Sequence, residues 1–220
     1  MACSTASDVT RSISIATIKA RKVFLISTLA VQESSLGRRF DDLTFLDSPL
    51  IADTTPKTAL DALRKEYAGL SAKQLADKST FTNRVDLKGA ESNVPRLRDA
   101  GILFAAGTDA IYPGDFQNEG LHRELELLVE SGLSPLQAIT TATKNAAAIV
   151  NASDEWGTLE AGKLADLVII DGKPDQHIGD TRNIAVVIKE GAIIDRMALR
   201  LDHNRIPDYA ETGSSMAPVW

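Results

Sequence analysis

Two short apolar runs that do not alternate constrain the fold of this chain more than any other feature. "VFLISTLAV", residues 23–31, and "ILFAAG", residues 102–107, are nearly continuous hydrophobic stretches, the first rich in β-branched side chains. A strand with one wet face alternates apolar and polar residues. An unbroken run instead reads as a strand buried on both faces, as in a parallel sheet covered by helices. Helical periodicity surrounds both runs. Residues 8–22 place Val9, Ile13, Ile15 and Ile18 at loose helical spacing and finish on the basic turn "KARK", which suits a helix C-terminus. Residues 32–55 predict a long loop with local turns. "PKTALDALRKEYAGL" then repeats Leu60, Leu63 and Tyr67 at helical spacing, with Thr55-Pro56 as cap and first turn. A polar helical stretch follows to residue 88, and "ESNVPRLRDAG" predicts a short helix stopped by Gly101.

Two well-punctuated helices come next. In "EGLHRELELLVESG", Leu121, Leu125, Leu128 and Val129 share a stripe that Gly132 ends. In the second, Ser134 caps, Pro135 takes the first position and Gln137 completes a capping box, before "LQAITTATKNAAAIV". Its Ala/Thr-rich face predicts close packing against a neighbour. After Asn151 the texture changes. "GTLEAGKLADLVIIDGKP" and "NIAVVIKEGAIID" read as short apolar strands with a hairpin bend at "KEG", residues 189–191. The stretch after residue 198 is polar and reads as a tail. Strands that alternate with helices define an α/β class with a parallel sheet. Two central strands are too few for a stable sheet, so part of it is expected to lie outside this chain.

Composition narrows the functions. Of 220 residues, 44% are hydrophobic and 25% charged, which permits a buried core. The net charge of −6 repels phosphate backbones, so no nucleic-acid partner is expected. No run reaches the roughly 18 to 20 apolar residues of a membrane span. The opening "MACSTASDVTRSIS" lacks the apolar centre of a secretory signal, and Asp8 argues against a transit peptide despite Arg11. The single cysteine, Cys3, cannot form an internal disulfide. A cytoplasmic location is the expectation.

The second apolar run stops at Gly107-Thr108 and presents a carboxylate, Asp109. In parallel α/β folds, chemistry gathers at the carboxyl ends of strands. Gly107 lets backbone or ligand come close there. A carboxylate so placed can hold a cation or accept a proton from water. It can equally stabilise a turn or cap a helix, as Asp often does.

The blocks "AGILFAAGTDA", "LHRELELLVESGLSPLQAITTATKNAAAIV" and "WGTLEAGKLADLVIIDGKP…VIKEGAIID" occur in an order and spacing that resembles the C-terminal part of the amidohydrolase superfamily, and most the imidazolonepropionase- and prolidase-like branch. The likeness runs from residue 15 to 196. It implies the last part of a (β/α)8 TIM-type barrel over residues 1–152, with "KVFLISTLAV" similar to the seventh strand and "ILFAAGTDA" to the eighth. A portion of a small β-sandwich would follow over 153–198, then a polar tail over 199–220. It further implies hydrolysis of carbon–nitrogen bonds in a small amide, cyclic amide or dipeptide-like substrate. A divalent metal, usually zinc, would sit at the strand ends, touched by Asp109, which takes the proton of the attacking water. Asp166 borders a strand away from the barrel mouth and is expected to be structural.

The resemblance also implies metal ligands that this chain lacks: a His-x-His pair, a lysine or glutamate, and further histidines, all expected before its first residue. Its histidines are His122, His177 and His203, and no two have ligand-like spacing. His122, beside Arg123 and off the apolar stripe, is expected to be solvated, and the other two to be surface residues. One carboxylate holds zinc weakly, so the family's metal centre is not expected to assemble in this chain alone. Two further readings stay open. A non-catalytic fragment could serve as an interaction module and self-associate through exposed barrel edges. The chain could also be a small α/β ligand-binding domain unrelated to hydrolysis.

Overall fold

The computed structural model describes residues 14–71, 74, 75, 77, 86–110 and 113–202. The start of the predicted first helix, most of the polar stretch before residue 86, Cys3 and His203 lie outside the described residues. No helix among the described residues is long and apolar enough to cross a membrane. The chain is mixed α/β and divides into two compact units.

The first unit draws on Met1–Ala30, Asp86–Asp109 and Leu121–Ile194. Helix α1 (Ile15–Arg21) is capped by the Ser14 hydroxyl and ends at Lys22, which takes a left-handed conformation. Strand β1 (Leu25–Ser27) pairs in parallel with β2 (Phe104–Ala106), Leu25 opposite Phe104 and Ser27 opposite Ala106. The first apolar run is thus a strand for only part of its length. Helix α2 (Leu29–Ser35) begins inside it, because an apolar run too short for periodicity to act reads alike as buried strand or buried helix.

Helix α5 (Leu87–Asp99) enters β2. It starts earlier than its sequence suggests, since Asp86 caps it by accepting from Gly89 N at 2.9 Å, and Gly101 follows in the left-handed region at φ +65°. Helix α6 (Gly120–Glu130) ends before Gly132, as expected. The Ser134–Gln137 capping box opens α7 (Pro135–Ala142), but the predicted long helix breaks at Thr143, and α8 (Lys144–Ile149) resumes after it. Thr143 has φ −123° and ψ −90°, outside the helical region. Both α7 and α8 pack on β2. The Asn145 side-chain amide donates to Phe104 O at 2.9 Å, on the edge of β2 that faces away from β1. The small-residue face of α8 does meet a close neighbour: a Cβ on Gly157 would fall 2.5 Å from Ala147 Cβ.

Strands β3 (Leu167–Ile170), β4 (Ile184–Lys189) and β5 (Ala192–Ile193) form an antiparallel sheet in the same unit. The β4–β5 hairpin turns on Glu190 and Gly191, both at positive φ, the two-residue turn that matches strand twist. Asp166 holds this bend, accepting from Lys189 Nζ at 2.6 Å and Glu190 N at 2.8 Å. Its structural role is as expected.

The second unit draws on Val31–Val85, Ala110–Gly120 and Asp195–Trp220. The predicted loop over 32–55 is largely helical turn: two 3-10 helices (Arg38–Asp41 and Leu43–Asp47) and helix α3 (Pro49–Ala52). Short turns of this kind carry too little periodicity to read from sequence. Helix α4 (Lys57–Tyr67) follows, with Pro56 rather than Thr55 at the cap position. Phe40, Leu46, Ile51, Leu60, Leu63, Leu75 and Phe116 form its core, and the Phe40 and Tyr67 rings stack 3.7 Å apart. The half-buried Arg39 pairs with Glu119 and lies 4.5 Å from the centre of the Phe45 ring.

Candidate functional site

The site is built where β1 and β2 end together. Gly107 N donates to Ser27 O at 2.8 Å, extending the parallel ladder past both strands. The strands are close enough there that a Cβ on Gly107 would sit 2.6 Å from Ile26 Cγ2. Glycine is therefore a packing requirement at this position. Two residues on, Asp109 takes φ +54°, a left-handed conformation that Asp tolerates better than most side chains. The side chain is exposed, and no hydrogen bond or ion pair joins its carboxylate to another described residue.

The β1 side is held by a residue that sequence reading passes over. Glu124 of α6 has no solvent exposure. Its carboxylate accepts from the Ser27 hydroxyl and from Ala30 N, the latter at 2.8 Å. Glu124 therefore fastens α6 to the end of β1 and to the first turn of α2. A signal existed: Glu124 stands three residues after Leu121 and four before Leu128, on the stripe itself. Beside it, Thr28 is 5% exposed, and its hydroxyl has no partner among the described residues.

The histidines do not join this site. His122 is half-buried rather than solvated. Its Nδ1 lies 3.0 Å from Thr181 Oγ1, which donates onward to Ile178 O at 2.8 Å, so Nδ1 carries the proton toward Thr181. Burial, then the Arg182 guanidinium, pushes the imidazole down to about 4, against the weaker pull of Glu126. Glu126 itself accepts from Arg182 and from Arg123. His177 is exposed at the start of a 3-10 helix, Ile178–Arg182. A cavity of about 220 Å³ lined by Arg98, Phe104, Leu133, Gln137 and Asn145 flanks the start of β2. It lies at the opposite end of the strand from Asp109.

Among the described residues, no group of three or more His, Cys, Asp or Glu side chains could hold a metal ion. A catalytic zinc takes three protein ligands, so the described donors do not fit one by themselves.

The parallel pair β1–β2 leads at its carboxyl end to Asp109, whose carboxylate has no partner among the described residues, and in parallel α/β folds chemistry gathers at such ends. The family model that matches this chain, over residues 41–194, is that of the amidohydrolase family. The chain belongs to the amidohydrolase family, whose members generally bind a divalent metal. It is 39% identical over 112 residues to imidazolonepropionase from Symbiobacterium thermophilum, covering 50% of this chain and 25% of that protein. It is 33% identical over 113 residues to imidazolonepropionase from Brevibacillus brevis, covering 49% and 26%. The chain thus matches about a quarter of the length of these relatives. Among solved structures, it is similar in fold to a Xaa-Pro dipeptidase with methionine bound in its active site. The TM-score is 0.53 at 21% identity, over 82% of this chain and 36% of that one.

Proposed function

We propose that this chain is the C-terminal portion of a hydrolase of carbon–nitrogen bonds in small molecules, with a cyclic amide or dipeptide-like substrate, in the cytoplasm. Strands β1 and β2 would be the seventh and eighth of a (β/α)8 barrel. Residues 1–152 would belong to that barrel, 153–198 to a small β-sandwich, and 199–220 to a tail whose first residues are tied by the Arg200–Asp53 ion pair at 2.8 Å. Asp109 is assigned the proton of the attacking water. The metal that the family implies, zinc above all, finds too few donors among the described residues, so Asp109 receives the proton transfer and nothing further.

One observation supports this reading best: the Asp109 carboxylate stands exposed at the carboxyl end of β2, with no partner among the described residues, in a chain of this family. The test is turnover of an N-acyl-proline dipeptide and of a cyclic amide by the protein expressed from the complete reading frame that contains this chain. Asp109→Asn is expected to lower kcat by roughly 10²- to 10⁴-fold, the usual worth of a general base. Equal rates in wild type and variant overturn the assignment.

A further inference from the structure

The Asp109 side chain is exposed and its carboxylate has no partner among the described residues, so it takes its place from its backbone. That backbone comes straight out of a tight contact. Gly107 N donates to Ser27 O at 2.8 Å, and a Cβ on Gly107 would fall 2.6 Å from Ile26 Cγ2. The end of β1 and the chain leading to Asp109 therefore touch with no room between them. Asp109 follows two residues after Gly107, at φ +54°. A displacement of the β1 end is handed to Gly107 and, across one residue, to Asp109. Two short paired strands are marginal by themselves in water, and β1 is three residues long. Its end needs support from elsewhere.

Glu124 of α6 supplies it. Its carboxylate accepts from the Ser27 hydroxyl, 97 positions away in the sequence, and from Ala30 N at 2.8 Å. Ser27 thus receives the support at its hydroxyl and passes it on at its carbonyl, to Gly107 N. Glu124 has no solvent exposure and Ser27 only 3%, so letting go would leave a buried acceptor unmet. Packing alone asks for no acid here, since Leu125 and Leu128 fill the same stripe and are buried. A carboxylate is costly to bury. What it adds over a leucine is a fixed direction.

We propose that Glu124 is a positioning residue of the hydrolytic site: acting through Ser27 and Gly107, it fixes where the Asp109 carboxylate stands relative to the bond to be cleaved. It touches neither substrate nor reacting atoms. This rests on the hydrolase reading above.

The experiment is a double-mutant cycle in the protein expressed from the complete reading frame that contains this chain. The N-acyl-proline dipeptide and the cyclic amide are the probes, and rates are taken per folded molecule, the folded fraction being read by circular dichroism. Glu124→Gln is expected to lower kcat roughly 10- to 100-fold, the cost of misplacing a catalytic group, with KM within about threefold of wild type. In Asp109→Asn the same substitution is expected to change the residual rate by less than about threefold, because the group to be positioned is gone. A merely structural role predicts the same factor in both backgrounds. That result, or an unchanged kcat in Glu124→Gln, overturns the proposal while the Asp109 assignment stands. Ser27→Ala cuts the link and keeps Glu124. It is expected to lower kcat by roughly 10-fold, again only where Asp109 is present. Should Glu124→Gln not fold, Ser27→Ala decides: an unchanged kcat there overturns the proposal. A wild type that turns over neither probe, or equal rates in wild type and Asp109→Asn, brings down the hydrolase reading and this inference with it.

Discussion

A carboxylate without solvent exposure, such as that of Glu124, persists only where donors replace the water it has lost. Ser27 and Ala30 supply two of them. Glu124→Gln keeps the shape but turns an N–H donor toward one of these donors. It is expected to cost about 2–4 kcal/mol of stability, read from the urea midpoint at constant slope. Asp109 asks for the opposite test, since its exposed side chain contributes no visible bond. Asp109→Asn should leave the urea midpoint within about 0.5 kcal/mol of wild type while it removes turnover. The two residues also differ in how they could be read. Asp109 was legible because an apolar run ends in Gly-Thr-Asp, which marks a strand end. Glu124 was only faintly legible: its place on the stripe sets it apart, but α6 carries three glutamates and the other two, Glu126 and Glu130, are less buried. The Thr28 hydroxyl, without a partner among the described residues, was hidden too, since no local pattern reports burial.

At the scale of elements, local punctuation was read well and lengths were not. The Ser134–Gln137 capping box and the Gly132 stop are present as expected, because each is decided by a few neighbouring residues. The run over 23–31 was read as one strand, but only Leu25–Ser27 is extended. It changes to helix where Glu124 accepts from Ser27 and Ala30, a contact from far along the chain. The break at Thr143 is likewise invisible to periodicity, since the alanines on either side favour helix. Packing against α8 yields a prediction. Gly157 has φ +97°, and a Cβ there would lie 2.5 Å from Ala147 Cβ and 3.1 Å from Thr143 O. Gly157→Ala therefore combines backbone strain with overpacking. A loss of about 2–4 kcal/mol is expected in urea unfolding, whereas Gly162→Ala, with open space around it, should lose only the strain of its positive φ, about 1 kcal/mol.

For the whole molecule, the alternation of strand and helix was legible as an α/β class, and the later hairpins as a separate texture. Periodicity could not say how these strands are completed, and the chain matches about a quarter of the length of its imidazolonepropionase relatives. Stability against acid is a property at this scale, since the polar cluster on α6 joins residues from 122 to 182. His122 is pushed from its ordinary 6.5 down to about 4 by burial and then by Arg182. The unfolded chain therefore binds the extra proton between those values, and stability falls as pH is lowered through that window. The loss should be on the order of 2 kcal/mol, and His122→Gln should flatten it. Below pH 4.5 a second limb should survive in that variant: burial raises the Glu126 carboxyl, but Arg182 and Arg123 outweigh burial and hold it below its ordinary value. Unfolding midpoints measured from pH 7 to pH 4 check both.

The amide of Asn145 on Phe104 O has a consequence of its own. It occupies, with one side chain, a place where a neighbouring backbone would otherwise dock, so any segment that lengthens this sheet on that flank must first unseat it. Replacing Asn145 with alanine would leave the Phe104 carbonyl open to such a segment.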